Sequence, residues 1–303
     1  MSKKLWEASE FIKKTSNLSN YEKFIKKNYN YKSCQNYSKL LSWSLKNSKR
    51  FWNSIWDYTG VNGIKNEKFK LSKNLIDSKF FINSKLNFSE NLLSKKNNNR
   101  AITFISENGY KEVRSWNDLN KNTTKIVKFL KSINLKKGQR VAAYMPNTIQ
   151  TVESFLASSA IGAIWSSCSP DFGVNGVIER FIQIRPSVLI ICDRYYYNGK
   201  EINVLERLNE IVKKIPSIKK VIIVNYPGKN YVNLNHIKSN KIHYWKDIPN
   251  TKADKISFEK FDFDHELAIL YSSGTTGKPK CICHRSGGVL LQHLKEHQLH
   301  CEI

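Results

Sequence analysis

The sequence predicts an α/β protein in which βαβ units build a mostly parallel sheet. Short apolar runs that suit strands alternate with longer amphipathic runs that suit helices, an order typical of βαβ units. Two apolar runs, 188–192 and 267–271, are uninterrupted, as expected of strands buried on both faces. Residues 141–179 contain no lysine or arginine, although the chain has 50 of these residues. In so basic a chain, that stretch indicates the core or the wall of a site.

The first 95 residues predict small helices ahead of this sheet. Residues 1–37 form a polar leader rich in Lys, Asn and Tyr, in which 10–27 can make an amphipathic helix interrupted at 17–20. From residue 38, apolar and aromatic residues recur at spacings that fit one helix face, and Gly60 follows as a stop, which predicts a helix that docks onto a larger domain. These residues are Leu41, Leu45, Trp52, Ile55 and Trp56.

Residues 96–303 carry the alternation of strands and helices and are predicted to form the third and largest domain. It begins with a hairpin, 101–106 and 112–114, that turns at Asn108 and Gly109. Right-handed crossovers would place the later helices on both faces of the sheet. The elements predicted after the hairpin are helix 116–132 capped by Ser115, strand 141–145, helix 148–160 capped by Asn147, strand 161–167, helix 174–184, strand 188–192, helix 201–214, strand 221–224 and helix 287–300.

A loop rich in hydroxyls and glycine, 272–280, follows the apolar run 267–271. Its nine residues include two Ser, two Thr, two Gly and two Lys, which supply the close backbone approach, the donors and the positive charge that a phosphate needs. It is not a Walker A loop, because only two residues separate Gly274 from Gly277 and Pro279 stands where that motif has Ser or Thr. A plain polar turn is the alternative, but such turns rarely reach this length with so many donors. We therefore predict a triphosphate-binding loop.

The sequence of this segment, YSSGTTGKPK over 271–280, resembles the signature loop of the adenylate-forming superfamily, which includes the acyl-CoA synthetases. In that superfamily the loop holds the phosphates of ATP while a carboxylate attacks the α-phosphorus. Residues 38–95 resemble the small helical N-terminal cap module of short-chain acyl-CoA synthetases, so a cap module is expected there. Three further segments, 162–190, 195–201 and 284–301, resemble the acetoacetyl-CoA synthetase (acetoacetate–CoA ligase) group. The resemblance covers residues 38–303, so the sheet would be part of the large domain of an adenylate-forming enzyme.

The resemblance implies an AMP-forming acid–CoA ligase that uses ATP, Mg²⁺ and CoA. ATP and acetoacetate would give acetoacetyl-AMP and pyrophosphate, and the CoA thiolate would then attack the mixed anhydride and release AMP. The residues expected to hold the ATP phosphates are Ser272, Ser273, Gly274, Thr275, Thr276 and Gly277, with Lys280 as a supporting cation.

The expected CoA contact and the C-terminal end both depart from the family pattern. Related enzymes bind the CoA 3′-phosphate with an arginine in the loop after the strand equivalent to 188–192. Here that loop offers Arg194 and Lys200, and Lys200 is the better candidate because Arg194 lies directly at the strand end.

The family's adenine and ribose motifs and its catalytic lysine lie beyond Ile303, so the catalytic residue stays unknown. We expect an incomplete, inactive chain whose partner, if the gene is split, is the missing C-terminal part of the same enzyme.

Two other functions stay open. One is a short-chain acyl-CoA synthetase acting on another acid, such as acetate or propionate. The other, from a different class, is a basic nucleic-acid-binding protein, because the formal net charge is +25. The excess is nearly all lysine and accompanies many asparagines, and no RGG tract, zinc-finger spacing or RNP-like aromatic motif is present, so nucleic acid is the weaker expectation.

The cysteine spacing, the N-terminus and the length of the apolar runs predict the compartment, and the histidine spacing predicts no metal site. The six cysteines form no C-x-x-C pair, and the N-terminus has no apolar core of a secretory signal. No apolar run approaches the ~18–20 residues of a membrane span, so we expect a cytoplasmic protein without a membrane partner. His293, His297 and His300 recur at helical spacing, but Leu294 stands where the H-E-x-x-H motif has Glu, and we expect no protein-held metal.

Overall fold

The chain divides into two compact units. The computed structural model describes residues 5–32, 36–230, 241–250, 256–272 and 277–303. The first unit comprises the described parts of Met1–Leu86 with Asp262–Asp264 and Ser286–Ile303, and the second comprises the described parts of Asn87–Phe261 and His265–Arg285. The domain limits expected from the sequence, after residues 37 and 95, stay a prediction.

The described residues alternate between helices and strands. The helices are α1 (Glu10–Thr15), α2 (Asn17–Asn28), α3 (Tyr37–Lys46), α4 (Ser48–Tyr58), α5 (Phe88–Leu92), α6 (Trp116–Ser132), α7 (Ile149–Ala160), α8 (Val174–Ile184), α9 (Leu208–Lys214) and α10 (Ser286–Lys295). The strands are β1 (Gly63–Ile64), β2 (Lys85–Leu86), β3 (Arg100–Ile105), β4 (Lys111–Ser115), β5 (Arg140–Tyr144), β6 (Ile164–Cys168), β7 (Val188–Cys192), β8 (Arg194–Tyr197), β9 (Lys200–Asn203), β10 (Lys220–Val224), β11 (Ile242–Tyr244), β12 (Phe261–Asp262), β13 (Glu266–Ser272) and β14 (Lys280–Arg285). In these parts of the chain, none of the helices has the length and apolar character of a bilayer span.

The first unit begins with the short helices α1 and α2. They are separated at Ser16, whose hydroxyl accepts a hydrogen bond from the Ser19 N–H and so caps α2. The predicted interruption at 17–20 therefore lies just after the observed one. The interruption is local, because a serine hydroxyl competes with the helical backbone for its donors.

The next two helices show where the expectation of one apolar helix face was wrong. Asn47 separates α3 from α4, so the spacing pattern does not continue from one helix to the other. Ile55 and Trp56 on α4 are buried, whereas Leu41 and Leu45 on α3 are 45% and 73% exposed. A spacing count alone does not reveal that one helix ends and another begins between these residues.

The second unit is built on a seven-stranded sheet with the order β11–β10–β7–β5–β6–β13–β14. All neighbouring pairs whose register is defined run parallel except β13 and β14, which run antiparallel. This arrangement confirms the predicted α/β class. Because parallel strands share the direction of their carboxyl ends, β5, β6, β7 and β13 end along one edge of the sheet, where open α/β sheets bind ligands.

Local sequence signals placed several elements of this unit correctly. The Ser115 hydroxyl accepts from the Asp118 N–H at 3.1 Å while the Asp118 carboxylate accepts from the Ser115 N–H at 3.3 Å, which makes a reciprocal capping box for α6. Strands β3 and β4 form the predicted hairpin. Helix α8 and strand β7 have the predicted limits.

The predicted helix over 201–214 was wrong in its first half. Residues Lys200–Asn203 form β9, which pairs antiparallel with β8, and α9 starts only at Leu208. Asn198 and Gly199 turn this hairpin with φ of 50° and 73°, the geometry that an Asn-Gly pair favours. Two limits shifted by less: Thr148 rather than Asn147 is the N-cap residue of α7, and β6 begins at Ile164 rather than at 161.

Candidate nucleotide site

The predicted phosphate loop joins β13 to β14 at the carboxyl edge of the sheet. Ser272 ends β13 and lies opposite Lys280, the first residue of β14. Gly277 has a φ of +99°, which only glycine adopts readily, and Lys278 and Lys280 are exposed. Four predicted phosphate contacts, Ser273, Gly274, Thr275 and Thr276, lie outside the described residues. The structure therefore brings Ser272, Gly277 and Lys280 to one place.

The first end of the loop is tied to helix α8 by Tyr271. Its hydroxyl donates to the Arg180 carbonyl at 3.1 Å and accepts from the Ser166 hydroxyl at 3.3 Å. The Arg180 guanidinium lies 5.8 Å from the centre of the Tyr271 ring and 4.2 Å from the centre of the Phe172 ring. Burial raises the pKa of the Tyr271 phenol, so the hydroxyl keeps its proton and stays a donor at neutral pH.

The second end of the loop is tied to the same helix by Gln183. The Gln183 side-chain amide donates to the Pro279 carbonyl at 3.0 Å and to the Glu179 carbonyl at 2.8 Å. The Cys281 thiol lies 3.6 Å from the Gln183 side-chain oxygen, within range of a weak hydrogen bond. Sequence reasoning did not single out Gln183 or Arg180. The available signal was their spacing of three residues, which places both polar side chains on one face of a largely apolar helix.

A second turn at the same edge, Ser169–Gly173, connects β6 to α8. The buried Tyr144 hydroxyl donates to the Phe172 carbonyl at 2.6 Å. Arg207 donates to the carbonyls of Pro170 and Phe172 at 2.9 and 3.2 Å. Two side chains from other elements thus fix this turn, and the Phe172 ring within it contacts the Arg180 guanidinium of α8. Sequence reasoning also missed Arg207, which lies far from the turn along the chain.

The loop expected to bind CoA is the β8–β9 hairpin. Arg194 forms two ion pairs, with Asp193 at 3.2 Å and with Glu201 at 2.9 Å. It also donates a hydrogen bond to the Asn230 carbonyl. Lys200 is exposed and forms no ion pair with any residue that the structure describes. The hairpin therefore presents Lys200 to solvent and holds Arg194 inside its own network.

Of the other side chains weighed from the sequence, Trp165 lies in the core, whereas His293 and His297 are exposed. Trp165 is 5% exposed and packs on the Phe155 ring at 5.9 Å, as a core residue does. The rings of His293 and His297 are 6.0 Å apart. Among the described residues, no three His, Cys, Asp or Glu side chains gather as a metal site.

Comparison with known proteins places this arrangement in a family. The family described as AMP-binding enzyme matches residues 90–301, a range that includes the phosphate loop and the β8–β9 hairpin. The chain is 38% identical to the acetoacetyl-CoA synthetase of Macaca fascicularis over 274 residues, which is 88% of this chain and 41% of that protein. It is 38% identical to the acetoacetyl-coenzyme A synthetase of Rhizobium meliloti (strain 1021) over 273 residues, 90% of this chain and 42% of that protein.

The fold agrees with these sequence matches. The solved acetoacetyl-CoA synthetase from Streptomyces lividans superposes with a TM-score of 0.91 at 27% identity, and the match covers 100% of this chain and 46% of that one. The chain thus spans less than half the length of the proteins that it matches. The predicted resemblance to acetoacetyl-CoA synthetases is confirmed. Since the family match extends over more than half of its residues, the chain belongs to the AMP-binding enzyme family.

Proposed function

We propose that this chain serves in an AMP-forming acid–CoA ligase that activates acetoacetate. The observation that carries the proposal is the similarity to acetoacetyl-CoA synthetases along about nine tenths of the chain, which includes the phosphate loop. ATP and acetoacetate would give acetoacetyl-AMP and pyrophosphate, and the thiol of CoA would then displace AMP. ATP enters as its magnesium complex, so Mg²⁺ is counted with the substrate.

The loop's chemistry suits the first of these two steps. A triphosphate repels an approaching carboxylate, so the enzyme must screen its charge before the carboxylate oxygen can reach the α-phosphorus. The hydroxyls of Ser272, Ser273, Thr275 and Thr276 and the amides of Gly274 and Gly277 are the proposed ligands of the β- and γ-phosphates. Lys280, exposed at the start of β14, is the proposed supporting cation.

For the second step we propose Lys200 as a contact of the CoA 3′-phosphate. The supporting observation is that Arg194, the other cation of that hairpin, already pairs with Asp193 and Glu201.

The partners proposed for the protein are ATP, acetoacetate and CoA, together with the rest of the enzyme if a separate polypeptide supplies it. Buried Cys168 and Cys192 thiols suit the reducing cytoplasm, which is the proposed location.

Isotope exchange between pyrophosphate and ATP, measured with a panel of acids, tests the proposed activity. The assay uses the chain alone and the chain fused to the remainder of a related acetoacetyl-CoA synthetase. We expect the fusion to exchange fastest with acetoacetate and more slowly with acetate and propionate. Faster exchange with acetate or propionate would assign the chain to another short-chain acyl-CoA synthetase instead.

Replacing Thr276 with valine is expected to slow this exchange about 100-fold, because the variant keeps the side-chain shape and loses one donor to the developing phosphate charge. Replacing the exposed Lys278 with alanine is the matched control and should leave the rate within about a factor of two. Unchanged exchange in the Thr276→Val fusion would refute the assignment of the loop.

A further inference from the structure

We propose that helix α8 is the support of the phosphate loop, and that Tyr271 and Gln183 are positioning residues that hold the two ends of the loop for a triphosphate. The inference deepens the proposed function and rests on its assignment of the loop to ATP. The helix contributes no proposed phosphate ligand itself. Its role is to fix the strand ends from which those ligands extend.

The tie at the first end depends on one hydroxyl group. Tyr271 is the last residue but one of β13, and its Oη has hydrogen-bond partners on both α8 and β6, namely the Arg180 carbonyl and the Ser166 hydroxyl. The Ser166 hydroxyl shares its single proton between Tyr271 Oη and the Ile269 carbonyl of β13, which is the nearer acceptor at 2.8 Å. A phenylalanine would fill the same space without these bonds. The hydroxyl therefore fixes the position of Tyr271 through its hydrogen bonds, whereas the ring alone supplies the packing.

The tie at the second end depends on one amide group. Gln183 is exposed, and its Nε2 bridges a carbonyl of its own helix and the Pro279 carbonyl. Pro279 immediately precedes Lys280, the proposed supporting cation. A hydrogen bond between exposed groups adds little to global stability, because water competes for both partners. Its effect is to hold the backbone at Pro279, and hence the start of β14, against one point of α8.

Both ties meet the same rigid element. The first tie meets the main-chain carbonyl of Arg180, and the second meets the side chain of Gln183 three residues further along α8. Fixing both ends of a loop before its ligand arrives lowers the conformational entropy that binding must remove. Helix α8 thus fixes the two ends of the loop, at Tyr271 and Pro279, and loss of either tie should weaken triphosphate binding without unfolding the sheet.

The test uses two variants and one control on the same helix. Tyr271→Phe removes the hydroxyl, and Gln183→Met keeps the length of the side chain while removing its donor. Asn175→Ala, at an exposed position of α8, is the control. We would measure the Kd of Mg·ATP by calorimetry, the melting temperature, and amide hydrogen exchange of the peptide 272–281 in the absence of nucleotide. Tyr271→Phe and Gln183→Met are each expected to bind Mg·ATP about 10-fold more weakly and to exchange faster in that peptide, as the loss of hydrogen bonds at the loop ends predicts.

The readouts separate this inference from the proposed function. If the unmodified chain binds no Mg·ATP, the proposed nucleotide role loses its support, and the nucleotide-free exchange still decides the inference: faster exchange confined to 272–281 supports it. Exchange in that peptide equal to that of Asn175→Ala overturns it. A general loss of melting temperature with faster exchange throughout the second unit also overturns it, because the two side chains would then be ordinary structural contacts.

Discussion

Replacing Arg114 with leucine is expected to lower the free energy of unfolding by about 3–5 kcal/mol, the loss measured when one partner of a buried ion pair is removed. The Glu153 side chain is only 1% exposed, and its carboxylate accepts from Arg114 Nε at 3.2 Å and from the Asn122 amide at 2.8 Å. Glu112 also pairs with Arg114, so the substitution leaves two acidic groups without their shared cation. Urea unfolding at neutral pH measures the loss.

The loss should depend on pH. Burial raises the pKa of Glu153 above its ordinary value, while Asn122 and Arg114 act in the opposite direction. The folded carboxyl then holds its proton more tightly than the unfolded one, so stability falls as the pH rises from about 4.3, the unfolded value, through the folded pKa. Without Arg114 that pKa rises further. The variant should therefore be more destabilised relative to the parent at pH 8 than at pH 5.

A matched control and a rescue sharpen this prediction. Arg100→Leu changes an exposed arginine on the neighbouring strand β3 and should alter the free energy of unfolding by less than about 0.5 kcal/mol. Adding Glu153→Gln to Arg114→Leu removes the buried charge and should restore much of the stability at pH 8. A loss below about 1 kcal/mol, or one that does not vary with pH, would show that the pair is not coupled in the way that burial implies.

The Arg114–Glu153 pair marks the boundary of what the sequence alone predicts. The capping box at Ser115 and Asp118 is visible in the sequence because its partners lie three residues apart. Arg114 and Glu153 are separated by 39 positions, and no local pattern connects them. Glu153 lies inside the stretch 141–179, which contains no lysine or arginine and was predicted to be core. The cation that pairs with it, Arg114, lies outside that stretch.

The same distinction applies at the candidate site. The phosphate role of the loop 272–280 stays a prediction, and it could be made from the sequence alone because the expected ligands are neighbouring residues. The residues that hold the loop, Tyr271 and Gln183, act across packed elements, and their contacts follow from the order of strands and helices rather than from any motif. The β8–β9 hairpin is a different case: its Asn198–Gly199 signal was present in the sequence, and helix-like spacing in 201–214 obscured it.

Replacing Gly162 with alanine is expected to lower the free energy of unfolding by about 2–5 kcal/mol, from two independent causes. Gly162 has a φ of +71°, which a residue with a Cβ adopts only with strain. A Cβ there would lie 2.7 Å from the Phe261 ring, which is buried and has the His265 ring stacked on it with the ring centres 4.8 Å apart. The Gly162 carbonyl also accepts from the Gly138 N–H at 2.8 Å, so the backbone is held in place. Urea unfolding of the variant measures the combined cost.

Gly109→Ala separates the two causes, because Gly109 has a similar φ of +79° and no atom within 4 Å of the position of an added Cβ. It should cost only about 1–2 kcal/mol, the backbone contribution. Adding Phe261→Leu to Gly162→Ala should recover part of the difference, since a smaller side chain relieves the overlap at the expense of its own packing. If Gly162→Ala were no more destabilising than Gly109→Ala, the Phe261 ring would be free to move. The positive φ of Gly162 would then account for the whole cost of the substitution, and the contact with Phe261 would add nothing.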